Sequence, residues 1–235
     1  MEPNNTIITS LIADLCGDDD TRRSQASFTL GVLGEPAVAP LIDLLAVSDS
    51  ETRKRAAWVL GVIGAPALPA LLKLAEGNDQ QLRIEAIRVL GIVGEARALN
   101  QLLIGLTDPD ARVAARAARA IGKIADPRAY HPLITALRHP SPDVCYEVCR
   151  ALLDLRVRDA IPALREFAAS GPNRITTWGA SVALVANHAA DELTQSPASN
   201  THADYIAQAL ALLQQQRCIT EDTERFTTEA PRTQR

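Results

Sequence analysis

The stretch Ala26-Ser27-Phe28-Thr29-Leu30-Gly31-Val32-Leu33-Gly34 returns about thirty residues later as Ala56-Ala57-Trp58-Val59-Leu60-Gly61-Val62-Ile63-Gly64. It returns again as Ala86-Ile87-Arg88-Val89-Leu90-Gly91-Ile92-Val93-Gly94. A looser fourth copy is Ala117-Ala118-Arg119-Ala120-Ile121-Gly122-Lys123-Ile124-Ala125. A degraded fifth is Val148-Cys149-Arg150-Ala151-Leu152-Leu153-Asp154-Leu155, and Ala180 to Asn187 reads as a sixth. A period in this range marks a solenoid, in which each unit buries its apolar face only against its neighbours. Function is then to be sought in the residues that vary along the surface.

Each unit reads as two helices. In the second unit Pro66 opens a helix through Leu74, where a proline costs little because first-turn amides lack intrahelical partners. Pro36 and Pro40, Pro127 and Pro132, and Pro162 hold similar early positions elsewhere. The links Ser48-Asp49-Ser50, Glu76-Gly77-Asn78-Asp79, Thr107-Asp108-Pro109-Asp110 and His139-Pro140-Ser141-Pro142-Asp143 supply N-caps for the second helix. Within that helix Ala56, Leu60 and Ile63 form one buried stripe. Gly31, Gly61, Gly91 and Gly122 each cost about 1 kcal/mol inside a helix and are expected to let the neighbouring helix approach. Gly34, Gly64 and Gly94 end the helix. An arginine recurs eight residues before the first glycine, at Arg23, Arg53 and Arg83.

Composition is compatible with this. A chain of 235 residues with 47% hydrophobic content can build a continuous core as a single array. Aromatic content of 3% is low, and the alanines that replace aromatics suit closely stacked helices. A net charge of -4 argues against a general nucleic-acid binder. Arginine outnumbers lysine, which is confined to Lys54, Lys73 and Lys123, favouring bidentate recognition of carboxylate or phosphate. Cys16, Cys145, Cys149 and Cys218 form no disulfide framework. With no apolar run able to span a membrane and no signal-peptide pattern in Met1-Glu2-Pro3-Asn4-Asn5, a soluble cytoplasmic protein is expected.

From Ile7 to Asn187 the elements just quoted resemble the HEAT-like repeats of the phycobilisome (bilin) lyase type. The resemblance implies an all-α fold, a right-handed α-solenoid of five to six helix pairs. In repeats five and six the arginine is replaced by Cys145 and Thr177, and the glycine by Leu153 and Val185. The array is expected over residues 1–190. A C-terminal capping region follows over 191–218, its helix His202 to Cys218 carrying Tyr205, Ile206, Ala209, Leu210 and Leu213 on one side. Residues 219–235, rich in Thr, Glu and Arg, read as a disordered tail.

In a HEAT-type array the second helices line the concave side, which the resemblance implies. If Ala56, Leu60 and Ile63 point inward, residues three and seven before the glycine point away. Three before are Phe28, Trp58, Arg88, Arg119 and Arg150; seven before are Ser24, Lys54, Ile84, Ala115 and Tyr146, with Trp178 near the equivalent place in repeat six. The candidate binding face is therefore Phe28, Lys54, Trp58, Ile84, Arg88, Arg119, Tyr146, Arg150 and Trp178. Large exposed aromatics need a covering partner, and Trp, Tyr and Arg dominate binding hot spots. The competing reading has the aromatics covered by adjacent turns and the arginines paired with Glu85 and Glu147.

The same sequence offers no catalytic or metal-binding set. None of His131, His139, His188 and His202 is followed by Glu, the pair a HEAT-repeat hydroxylase family uses to hold two irons. Cys145 and Cys149 share a helix face but lack the further ligands of a tetrahedral site, and read as buried small residues. The basic strip Arg112, Arg116, Arg119 and Lys123 is too short for a nucleic-acid groove in an acidic chain. The reading is thus a non-catalytic protein-binding scaffold, with no metal or required cofactor. The alternative, implied by the resemblance, is a bilin lyase subunit or chromophore chaperone. It would stack a bilin on the face aromatics, pair its propionates with Arg88, Arg119 or Arg150, and act on a phycobiliprotein cysteine. Its partner is then a phycobiliprotein or a second HEAT-repeat chain.

Overall fold

A computed structural model describes residues 3–46, 49–171 and 174–195. The chain divides into a compact unit, Met1–Leu193, and a second, Thr194–Arg235, which falls almost wholly outside the described residues. The expected capping helix and tail lie outside them too.

The array is all-α. Its helices are α1 (Pro3–Cys16), α2 (Asp20–Leu33), α3 (Glu35–Leu45), α4 (Ser50–Ile63), α5 (Leu68–Ala75) and α6 (Gln80–Val93). They continue as α7 (Leu99–Gly105), α8 (Ala111–Ile124), α9 (Tyr130–Ala136), α10 (Pro142–Asp154), α11 (Ile161–Ser170) and α12 (Val182–Gln195). Odd helices are the first of each pair and even helices the second. Neighbouring second helices stack from α2 through α10, and α1, α3, α5 and α7 form the parallel row. Between the rows lies one apolar cluster that includes the fully buried Leu30, Leu60, Leu90 and Ile121, equivalent positions of four successive repeats. Burying each such side chain contributes about 1.5–3 kcal/mol, which can be realised only with a neighbour in place.

Glycines set the spacing of the second row. A Cβ added at Gly91 would lie 2.7 Å from the Cβ of Ala120 and 3.0 Å from its Cα. At Gly31 it would meet Val62, at Gly61 it would overlap Ile92, and at Gly122 it would crowd Ala151. The helices end where the sequence indicates. Gly34 and Gly64 (both φ 70°) close α2 and α4 by donating to Leu30 and Leu60 carbonyls. Ala125 takes the left-handed conformation in the fourth repeat.

Asp19, Asp49, Asp79 and Asp110 cap α2, α4, α6 and α8, accepting backbone amides at 2.7–2.9 Å from Thr21, Thr52, Leu82 and Arg112. Each carboxylate satisfies amides that the helix cannot. Two details differ from the sequence reading. Pro66 and Pro127 lie in short 3₁₀ turns that precede α5 and α9, while Pro40 sits inside α3. The sixth copy is displaced: α12 begins only at Val182, after a turn closed by the antiparallel bridge between Ile175 and Ser181.

Candidate functional site

Residues four apart on a helix share a face, so each second helix contributes a short column. The columns are Ser24/Phe28/Val32, Lys54/Trp58/Val62, Ile84/Arg88/Ile92, Ala115/Arg119/Lys123 and Tyr146/Arg150/Asp154. Phe28 is 72% exposed and Trp58 56%, so neighbouring turns do not cover them. Val32, Val62 and Ile92 are exposed beside them. These three aliphatics are absent from the sequence-derived set, although they lie one turn beyond its members. Lys54 is exposed and pairs with Glu51 at 2.6 Å.

Ile84 and Arg88 require correction as free contact residues. Ile84 is 6% exposed and belongs to the core, showing only an edge to the face. Arg88 is bound to Glu85, donating from Nε at 2.7 Å and from Nη2 at 2.5 Å. Glu85 is itself buried, accepts from Gln81 and lies 3.6 Å from the Arg53 guanidinium of the preceding repeat. A buried carboxylate demands such partners, and Arg88 is fixed as one of them.

Beyond this knot the face opens into a groove of about 630 Å³ across α6, α8 and α10. Ile84, Ala111 and Ala115 give apolar lining, and Arg112, Arg116, Arg119 and Arg150 line it with charge. Arg112 is held by Asp110 at 3.1 Å. Among the described residues, Arg116, Arg119 and Arg150 make no hydrogen bond or ion pair within 4 Å. They share the groove with Glu147, whose carboxyl is raised above its ordinary range by burial, against the pull of the Arg119, Arg150 and Arg116 charges. Arg112 and Arg116 belong to the strip set aside as a nucleic-acid site, and here they form a groove wall.

Trp178 closes the groove from outside any helix. It stands in the 174–181 turn and meets Tyr146 edge-to-face, with ring centroids 5.3 Å apart. The turn is held at many points. Thr176 N donates to Ala180 O at 2.9 Å, its hydroxyl accepts from Ala180 N at 2.8 Å, and Gly179 adopts φ 89°. Thr177 gives its amide and hydroxyl to Asp143 on α10 at 2.8 and 2.9 Å. Arg174 donates to the carbonyls of His139 and Pro140, both at 2.7 Å.

Arg174 stands in for a missing repeat residue. In the third repeat Arg83 donates to the Gly77 and Asn78 carbonyls of its own link and pairs with Asp108 of the next, at 3.0 Å. In the fifth repeat that place is Cys145, whose thiol donates to Leu137 and His139 carbonyls. Arg174 reaches back to the same link from the following unit. Cys145 and Cys149 are buried, and burial pushes the Cys149 thiol up to about 12, so neither offers a ready thiolate. Among the described residues no group of three or more His, Cys, Asp or Glu is placed to hold a metal ion.

The family model for HEAT repeats matches residues 8–91, 38–111 and 99–185. The chain belongs to the HEAT-repeat family. No curated protein sequence matches it. Among solved structures, it is similar to a chain of the CpcE–CpcF complex of phycocyanin lyase from Nostoc sp. PCC7120. The identity is 20% over 66% of this chain and 98% of that one, with a TM-score of 0.57. It is similar to importin beta at 15% identity over 88% of this chain and 33% of that one, with a TM-score of 0.55. A designed armadillo repeat protein in complex with the peptide (KR)4 aligns at 20% identity over 79% of this chain and 99% of that one, with a TM-score of 0.48. The first two likenesses, at these identities, speak for the fold alone. Within these HEAT repeats the matched region includes the 174–181 turn, where the helical pattern is interrupted and Trp178 is presented.

Proposed function

We propose that this HEAT-repeat chain is a non-catalytic scaffold that holds a partner protein against the second-helix face. Array proteins offer extended surfaces for binding, and this surface joins an apolar half to a charged one. The carrying observation is that exposed Phe28 and Trp58 share the second-helix face with Arg116, Arg119 and Arg150, which make no ion pair among the described residues. Phe28 and Trp58, with the exposed Val32 and Val62, form an apolar patch of the kind that marks an interaction surface. A cytoplasmic setting suits the free thiols of Cys16, Cys145 and Cys149.

Trp58→Ala and Arg119→Ala should each weaken partner binding by about 2 kcal/mol, as centrally placed hot spots do, with the melting temperature retained. The arginine effect should shrink with salt and the tryptophan effect persist. Titration calorimetry of the purified pair alongside a melt reads both. Unfolding of Trp58→Ala without a specific binding loss would return that residue to the core.

A second reading draws on the groove itself. Two aromatics and several guanidiniums also suit a bilin, whose propionates would pair with Arg119 and Arg150. The chain would then be a lyase subunit or chromophore chaperone. Mixing the protein with a bilin and recording visible absorbance tests it; an unshifted spectrum removes it.

A further inference from the structure

The groove's chemistry specifies its occupant more closely than the face as a whole. Resting on the scaffold reading, we propose that the groove across α6, α8 and α10 docks an acidic peptide segment of the partner, its carboxylates received by Arg116, Arg119 and Arg150 and a neighbouring apolar side chain seated on Trp178.

Charge complementarity is the first argument. The chain carries a net charge of -4, yet Arg112, Arg116, Arg119 and Arg150 converge on this groove. Arg116 and Arg119 extend from α8 and Arg150 from α10, so a ligand between the helices meets guanidiniums from both. Along α8, Arg116 and Arg119 stand about 4.5 Å apart at 1.5 Å per residue. Roughly one to two residues of extended chain cover that distance, which brings neighbouring acidic side chains within reach. Guanidinium forks favour carboxylates for their planar, bidentate match.

Rigidity is the second, independent argument. Trp178 is 55% exposed, yet the turn that carries it is fixed by bonds to Asp143, His139 and Pro140. An exposed ring on a heavily bonded turn is already ordered before a ligand arrives, which lowers the entropic cost of binding. Glu147, Asp143 and Asp154 near the same arginines oppose a continuous phosphate backbone, whereas separate carboxylates can pass between them. The exposed Val62 and Trp58 of the preceding repeats would receive apolar residues flanking the acidic segment.

The probe is a fluorescein-labelled glutamate-rich peptide with a central leucine, compared by anisotropy with its glutamine counterpart on the full chain. At low salt the acidic peptide should bind about tenfold tighter, an advantage that collapses near 0.3 M salt. Arg119→Ala and Arg150→Ala should each cost about fivefold, with Arg119→Lys between them and wild type. Glu147→Gln should tighten binding, and Lys73→Ala on the first-helix row should change nothing. Trp178→Ala should weaken both peptides; if its melt shows a disturbed turn, Trp178→Phe, which keeps a ring, replaces it and should bind at an intermediate level. Equal binding of the two peptides overturns the proposal, as does indifference to both arginine variants or tighter binding of an oligonucleotide of equal charge. Failure here with cross-links to a partner still formed from a probe at the exposed Val32 would leave the scaffold reading intact and remove only the acidic partner.

Discussion

Gly61 shows how far one side chain can reach in this array. Its missing Cβ is the space that the Ile92 side chain of the next second helix occupies. Gly61→Val should therefore destabilise the protein by about 1–3 kcal/mol, because overpacking must push α4 and α6 apart. A denaturant melt checks it, and an unchanged midpoint would place α6 farther away. That role was legible in the sequence, since a glycine repeated at one helical position admits few reasons other than close approach. The exposure of Phe28 and Trp58 was legible for a related reason: the buried stripe defines the opposite face. The burial of Ile84 was not. Periodicity gives an angle about the helix axis, and says nothing of how nearly an adjacent helix covers that angle. The Arg88–Glu85 pair was open in the sequence as one of two readings, and the distances select it.

At the scale of elements, the second helices depend on their caps and links. Asp19 is held below the ordinary carboxylate range by backbone amides of Arg22 and Thr21, and Asp49 by the Thr52 hydroxyl and amide and the Glu51 amide. A carboxyl whose folded pKa is depressed stabilises the fold above its unfolded pKa, and that contribution disappears as pH falls through the folded value. Asp49→Ala should accordingly lower the melting temperature at neutral pH, and the loss should shrink as pH falls through the folded value. A loss that does not change with pH would mean that the charge is irrelevant to the cap. Arg174→Ala should release the 174–181 turn at a cost of about 1–2 kcal/mol, as loss of charged hydrogen bonds does. Hydrogen exchange should then rise at residues 174–181 and stay unchanged in α4. Protection that persists there would show that Thr177 and Asp143 suffice. Arg174 carried no periodic signal, and Trp178 was reached only through the register of the sixth copy; residues 174–181 are not helical, and register arguments stop where the helix does.

For the molecule as a whole, repetition explains why fold and site were unequally readable. A solenoid states its packing rule several times over, so the pairing of helices and their order survive the loss of Gly in the fifth copy. A binding face is written in the residues that differ between copies, and each of those is stated once. Lateral proximity across α6, α8 and α10 also joins residues as distant in sequence as Gln81 and Trp178 into one groove. The central claim is that the second-helix face, and not the first-helix row, holds the partner. A photo-crosslinking amino acid placed at the exposed Val32 or Lys123 of the second-helix face, and for comparison at the exposed Lys73 of α5, tests it most directly in cells. The same partner should be captured from 32 and 123, with little or nothing from 73. Capture from 73 alone, or equally from all three, would contradict the assignment of the binding face.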